Sequence, residues 1–340
     1  MMRKSALVSM ACLAASLLSG MTFAGTLKDV QARGKLNCGV STGNTGLSAP
    51  DAKGAWQGLD VAMCRAVAAA VLGDPDKVNF VPTTGQTRFT ALASGEVDLL
   101  VRNSSWTFTR DVDLKLTFAG INYYDGQGFL VHKNLGASSV KELDGASICV
   151  QTGSTHELNL AEYARNHGIK YEPVPIDSTA EGEQKYLAGA CDVFTNDVSG
   201  LAASKASFAA PDEHMVLKEL ISKEPLGPMV RQGDDQWADV VRWTLNALVT
   251  AEELGVDSAN LAKMTSGSNN PEIDRLLGSE GNYGEQLGLD ARWASRAIAA
   301  GGNYGEIFDN SLGKNTPIGL ERGLNAQWNQ GGLLYAEPFR

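Results

Sequence analysis

Leu36-Asn-Cys-Gly-Val40, Val78-Asn-Phe-Val81 and Val97-Asp-Leu-Leu-Val101 are three short apolar runs with two helical stretches between them. Runs of four or five residues rich in Val and Leu, bounded by turn residues, read as buried strands. From Trp56 to Leu72, Leu59, Met63, Val67 and Ala70 share one helical face, and Gly73-Asp-Pro-Asp76 stops the helix. A shorter helix runs from Thr87 to Ser94 and ends at Gly95. The order is βαβαβ, which favours a parallel sheet with helices on both faces.

The pattern restarts further along. Ser147-Ile-Cys-Val150, Tyr171-Glu-Pro-Val174 and Cys191-Asp-Val-Phe194 read as strands, with helices over Thr155–His167 and Gly182–Ala188 between them. Two such units predict an α/β fold of two similar lobes. Sites in these sheets lie beyond the carboxyl ends of the strands, so two facing lobes set two such rims across a cleft. The last hundred residues read as mostly helical, with echoes at Gly281-Asn-Tyr-Gly-Glu285 and Gly302-Asn-Tyr-Gly-Glu306. One repeat of a motif is too little for a solenoid. A helical appendage packed on the outside of a lobe is expected.

At the other end, Arg3 and Lys4 precede an apolar stretch from Ala6 to Leu18 and then Thr22-Phe-Ala24. A basic start, a short apolar run and a small residue form a Sec-type export leader over residues 1–24. The run is shorter than the roughly 20 residues a membrane span needs. It also continues past Cys12, which argues against lipid attachment there. Without the leader 316 residues remain and, with Arg3 and Lys4 gone, the formal charge moves from −10 to −12. An acidic exported chain makes nucleic acid and anionic lipid poor partners, since both need clustered Lys and Arg. With four histidines and no zinc-like spacing, no metal or cofactor is expected. Cys38, Cys64, Cys149 and Cys191 make an even count, which in an oxidising compartment suggests two disulfides in one of three pairings.

The richest chemistry lies in Asp98-Leu-Leu-Val-Arg-Asn-Ser-Ser-Trp-Thr-Phe-Thr-Arg110. A buried strand ends in hydroxyls, and Thr107 suits the cap of a following helix with donors behind it. Arg110 adds a planar fork that pairs with both oxygens of a carboxylate. Asp197, just past the strand end Phe194-Thr-Asn, supplies the opposite charge. Together they suit the two ends of a zwitterion.

Four blocks in order carry a resemblance: Trp56-Gln-Gly-Leu-Asp-Val-Ala-Met-Cys-Arg-Ala-Val67, Asp98–Arg110, Gln151-Thr-Gly-Ser-Thr155 and Cys191-Asp-Val-Phe-Thr-Asn-Asp197. The chain resembles the polar amino-acid class of periplasmic solute-binding proteins, family 3, and especially the broad-specificity general L-amino-acid binders. The resemblance implies a two-lobed fold of type II. It also implies a monomer that captures an amino acid and delivers it to an inner-membrane ABC permease. Arg110 then matches the arginine that pairs with the ligand α-carboxylate, with Ser105 and Asn103 around it. Ser154 and Thr155 match the second-lobe hydroxyl residues that close over the same group, and Asp197 matches the acid for the α-ammonium. Trp106 either helps wall the pocket or, as an aromatic between two strand-end residues, packs in the core. Arg88 and His156 stand near the cleft by position, although both also fit a solvated surface.

The loop Ser41-Thr-Gly-Asn-Thr-Gly-Leu-Ser-Ala-Pro50 lacks the aromatic residue usual in the family. It suits a roomy pocket or a larger ligand such as a short peptide. Crossings near Gly126 and Gly227 would assign residues 25–126 and 229–340 to lobe 1 and 127–228 to lobe 2. One bridge per lobe, Cys38–Cys64 and Cys149–Cys191, is then the preferred pairing, because a bridge across the cleft would resist closure. An enzyme reading, by likeness to arogenate or prephenate dehydratases on this fold, lacks a general acid besides Asp197 in the matched blocks. No enzyme is expected.

Overall fold

The computed structural model describes residues 25–340; the leader reading of residues 1–24, with Cys12, lies outside them. Helix α1 (Thr26–Arg33) leads into β1 (Leu36–Ser41) and a small hairpin of β2 (Ala49–Pro50) and β3 (Trp56–Gln57). Then come α2 (Leu59–Leu72), β4 (Val78–Thr83), α3 (Arg88–Ser94), β5 (Leu99–Leu100) and β6 (Leu116–Phe118). The helix expected from Trp56 thus starts three residues late. Gly58 has φ of +119°, and a Cβ there would lie 2.3 Å from the carbonyl oxygen of Leu47, so the chain must turn before it can coil.

Strand β7 (Tyr123–Asp125) leaves the first sheet, and the second is built from β8 (Gln127–His132), β9 (Ser147–Gln151), α4 (Thr155–His167), β10 (Glu172–Ile176), α5 (Thr179–Leu187), β11 (Val193–Asp197), α6 (Val198–Ser207) and β12 (His214–Val216). The chain returns through β13 (Glu224–Leu226), which pairs antiparallel with β7, and β14 (Met229–Arg231) enters the first sheet. The strand orders are β4-β1-β5-β14-β6 and β10-β9-β11-β8-β12. In each sheet four strands run one way and the fourth in order is reversed. That reversed strand is in both cases the one that follows a crossing, β14 after β13 and β8 after β7.

A disulfide joins Cys38 on β1 to Cys64 on α2, and a second joins Cys149 on β9 to Cys191 just before β11, with Cα atoms 6.2 and 5.7 Å apart. Each staples one βα or ββ unit to its own lobe.

The C-terminal chain forms α7 (Asp235–Glu253), α8 (Leu261–Thr265), α9 (Pro271–Leu276), α10 (Tyr283–Leu287), α11 (Trp293–Ala299) and α12 (Tyr304–Ser311). Trp293, Ile298 and Phe308 join the same apolar core as Val67 of α2 and Val241 of α7. Both echoed motifs open a helix, α10 and α12. In the second, Asn303 and Glu306 cap each other's backbone N–H groups reciprocally. The segment also grips the crossing. Tyr304 Oη donates to the Asn122 carbonyl at 2.7 Å, and the Asn325 amide accepts from Tyr124 N (2.7 Å) and donates to Tyr124 O (3.0 Å). No helix of the described residues is long and apolar enough to cross a membrane.

Candidate functional site

Strand ends, loops and one helix start from the two lobes meet around the β7–β13 pair. From lobe 1, β5 runs into Arg102, Asn103, Ser104 and Ser105, all buried except the half-buried Asn103. Asn103 takes a positive φ of 33°, a conformation that costs less for Asn than for most residues. The turn aims its backbone N–H at Asp60 Oδ2 (2.9 Å) and its side-chain amide across the cleft at Asp197 Oδ2 (3.2 Å). Asp60, the second residue of α2, also accepts from Asn122 Nδ2 at 3.1 Å. Burial pushes the Asp60 carboxyl up, and these two donors hold it back in part.

Arg110 sits not on an ordinary helix start but in a π-helical turn over Thr109–Asp113, whose amide at Arg110 is met by the Thr107 hydroxyl at 3.3 Å. Its guanidinium donates to the Ser105 carbonyl (2.9 Å) and lies over the Phe89 ring, 5.1 Å from the centroid. Arg88 stacks on the same ring from 4.7 Å and donates to Ser104 Oγ (3.4 Å) and, across the cleft, to the Gly153 carbonyl (3.2 Å). Arg102 donates to Thr83 O and Asn103 Oδ1, both at 3.3 Å. Burial lowers the pKa of all three guanidiniums, with Arg102 brought down to about 10 by burial and then by the charge of Arg110. For Arg110 the acids Glu224 and Asp197 work against that shift.

Lobe 2 answers with β11 and the start of α4. Asp197, at the last position of β11, receives His156 Nε2 at 3.0 Å. Burial opposes a proton on His156, but the charge and hydrogen bond of Asp197 outweigh it and raise its pKa. Ser154 is spent as the cap of α4, accepting from Glu157 N (3.4 Å) and donating to Gln151 O (2.6 Å). Thr155 Oγ1 donates to Glu224 Oε2 at 2.9 Å. The backbones of the two lobes touch here, since a Cβ on Gly85 would lie 2.6 Å from the Thr152 carbonyl oxygen.

The structure therefore brings Arg110, Asp197, Ser105, Asn103 and Thr155 into one cluster, with Ser154 beside it as a cap. It does not bring Trp106. That ring stacks on Phe118 at 5.0 Å, its N–H meets Asp111 Oδ2 at 3.1 Å, and it lines a groove with Gly120, Leu245 and Tyr335 on the outer side of lobe 1. The side chains pack between sheet and appendage, which corrects the expected pocket wall. Arg88 and His156 are buried in the cluster rather than solvated. Glu224 is the residue missed altogether: a side chain in the crossing strand β13, buried among partners from both lobes.

The ligand atoms of His156, Asp197 and Glu224 lie within 4.8 Å of one another, a spacing that would admit a metal ion. The chemistry of the surroundings opposes it. Both acids already accept from neutral or cationic donors, and Arg88 and Arg110 lie within Coulombic reach of both. A divalent cation would have to displace these donors and sit beside the two guanidiniums.

Two lobes on one strand plan, a two-strand crossing and a charged cluster at the facing rims define a solute-binding protein. Residues 36–256 match the bacterial extracellular solute-binding proteins, family 3, and the chain belongs to that family. It is 60% identical to the glutamate/glutamine/aspartate/asparagine-binding protein BztA of Rhodobacter capsulatus, over the full length of both chains. It is 52% identical to the general L-amino acid-binding periplasmic protein AapJ of Rhizobium johnstonii, covering 99% of this chain and 100% of that one. A solved ABC transporter/periplasmic binding protein from Brucella ovis with glutathione bound superposes with a TM-score of 0.90. It is 52% identical and covers 93% of this chain and 100% of the other. These relatives are named as binding proteins, and the family match leaves the appendage beyond residue 256 outside it.

Proposed function

We propose that the protein captures L-amino acids of several side chains between its lobes in the periplasm and hands them to an ABC permease, without chemical conversion. The observation that supports this most is the meeting of Arg110 from lobe 1 and Asp197 from lobe 2 in one buried cluster. Arg110 takes the α-carboxylate and Asp197 the α-ammonium. Ser105 and Thr155 complete the carboxylate's hydrogen bonds, while Asn103 orients Asp197. Contacts present only when both lobes touch the ligand are what make binding favour closure. The Arg88 guanidinium, bonded to neutral oxygens, suits a carboxylate or amide side chain, in line with the names of the relatives. Export by the leader at residues 1–24, and action as a monomer, complete the reading.

A thermal-shift panel of the amino acids and glutathione on the mature protein tests it. A ligand at about 100 times its Kd adds roughly 2.7 kcal/mol of stability. Glutamate, glutamine, aspartate and asparagine are expected to raise the melting temperature. A response to glutathione alone would transfer the reading to short peptides. Product formed from arogenate or prephenate would replace capture by catalysis, and silence from every amino acid would remove the proposal.

A further inference from the structure

Glu224 stands where three parts of the molecule meet. It lies on the crossing strand β13 and is 1% exposed. Its Oε2 accepts from the hydroxyls of Ser105, on lobe 1, and Thr155, on lobe 2. Its Oε1 accepts from Ser222 Oγ at 2.6 Å and from Asn159 Nδ2, on α4, at 2.7 Å. One carboxylate thus ties lobe 1, the crossing and lobe 2 together.

A hydroxyl carries a single proton and can donate to one acceptor at a time. Ser105 and Thr155 are the two hydroxyls that capture requires for the ligand's α-carboxylate. Each can serve Glu224 or the ligand, not both. We propose that Glu224 is an internal competitor for the carboxylate position, an acid of the protein that latches the lobes through the same two hydroxyls a ligand must win. The inference rests on the capture site proposed above.

Two consequences follow from the proton count. The latched arrangement excludes the ligand's carboxylate, so it lowers apparent affinity and eases release. Because the contest concerns the group common to all amino acids, the penalty is the same whatever the side chain. A single residue then sets the strength of binding without setting its breadth.

The test is calorimetric titration of glutamate and of asparagine into the mature wild-type protein and the variants Glu224→Gln, Glu224→Asp and Arg110→Ala. The neutral amide oxygen of Gln is the weaker acceptor, so both ligands should bind at least about tenfold more tightly to Glu224→Gln. Glu224→Asp keeps the charge but withdraws it by one methylene, and should tighten both by about threefold; this separates competition for the hydroxyls from simple charge repulsion. It also serves alone if the Gln variant does not fold. Unchanged or weaker binding in either folded variant, or a gain confined to one of the two ligands, overturns the inference. If Arg110→Ala meanwhile abolishes binding, the capture site stands and only the latch falls. Wild-type affinity in Arg110→Ala would overturn both.

Discussion

Lobes 1 and 2 share a strand order, but their sheets are covered unequally. The α2 side of the lobe 1 sheet faces an apolar core that runs without a break from Cys38 and Val67 through Trp237 and Val241 to Trp293, Phe308 and Leu312 of the C-terminal helices. The lobe 2 sheet lies between two smaller layers, one around Phe129, Ile148 and Val193 and the other around Tyr186 and Phe194. The chain beyond the family match is spent on lobe 1 and on the crossing. Arg322 shows how firmly: it pairs with Glu252 through both nitrogens, at 2.8 and 3.0 Å, and lies over the rings of Tyr304 and Phe308. Lobe 1 is a thick platform and lobe 2 a thinner one, although each contributes residues to the charged cluster between them.

The sharpest way to break this comparison is at the site itself. Arg110→Ala should weaken amino-acid binding by about 3–5 kcal/mol, because a buried carboxylate loses its partner. Asp197→Asn should weaken it by about 2–5 kcal/mol through the ammonium. Calorimetry on both variants measures this, and a loss at Arg110 alone would mean that lobe 1 holds the ligand unaided.

The disulfides come next. Chain entropy assigns each bridge about 3–4 kcal/mol. Replacing Cys149 and Cys191 by Ser should cost more in denaturant unfolding than replacing Cys38 and Cys64, because the loop is longer (42 against 26 residues) and the surrounding layer thinner. Equal losses would show that the appendage does not shield lobe 1.

The smallest effect belongs to the crossing. Burial and then the charge of Asp197 push the Asp125 carboxyl up to about 7. An acid whose pKa rises on folding contributes stability that is complete below its unfolded value, about 4, and lost as the pH climbs through 7. Asp125→Asn should therefore raise the melting temperature at pH 8, by at least about 2 °C, and leave it nearly unchanged at pH 4. Its amide oxygen, in the place of Oδ1, can still accept from Gly126 N and Ser199 N. A shift of equal size at both pH values would show that the carboxyl does not titrate in this range.

What was legible in the amino acids follows from how locally each feature is encoded. Helix α4 spans Thr155–His167 as expected, since a cap, an apolar stripe and a terminal glycine lie within one run. Asp197 stands at the end of β11, where the rule that rims carry sites looks for it, whereas Arg110, ten residues past β5, is singled out by its motif block and the family resemblance. Glu224 escaped because Ser222-Lys-Glu-Pro-Leu226 lies outside all four matched blocks. Its partners Ser105 and Thr155 stand 119 and 69 residues away in the chain. For Arg88 and His156 the sequence leaves cleft and solvated surface both open for the same reason: their partners Gly153 and Asp197 are distant in the chain, and both side chains are buried. Trp106 is left between pocket wall and core because strand direction alone does not tell which face a residue beyond the strand will take; it stacks on Phe118 away from the cluster.

Strand β14 carries a consequence for the order of assembly. Lobe 2 draws its sheet from one unbroken run, residues 127–216, and can complete it as soon as that run has emerged in full. Lobe 1 cannot, because β6 reaches the rest of its sheet only through Met229–Arg231. The half of the protein made first is the half finished last, and until residue 231 arrives it presents unpaired strand edges of the kind that invite aggregation.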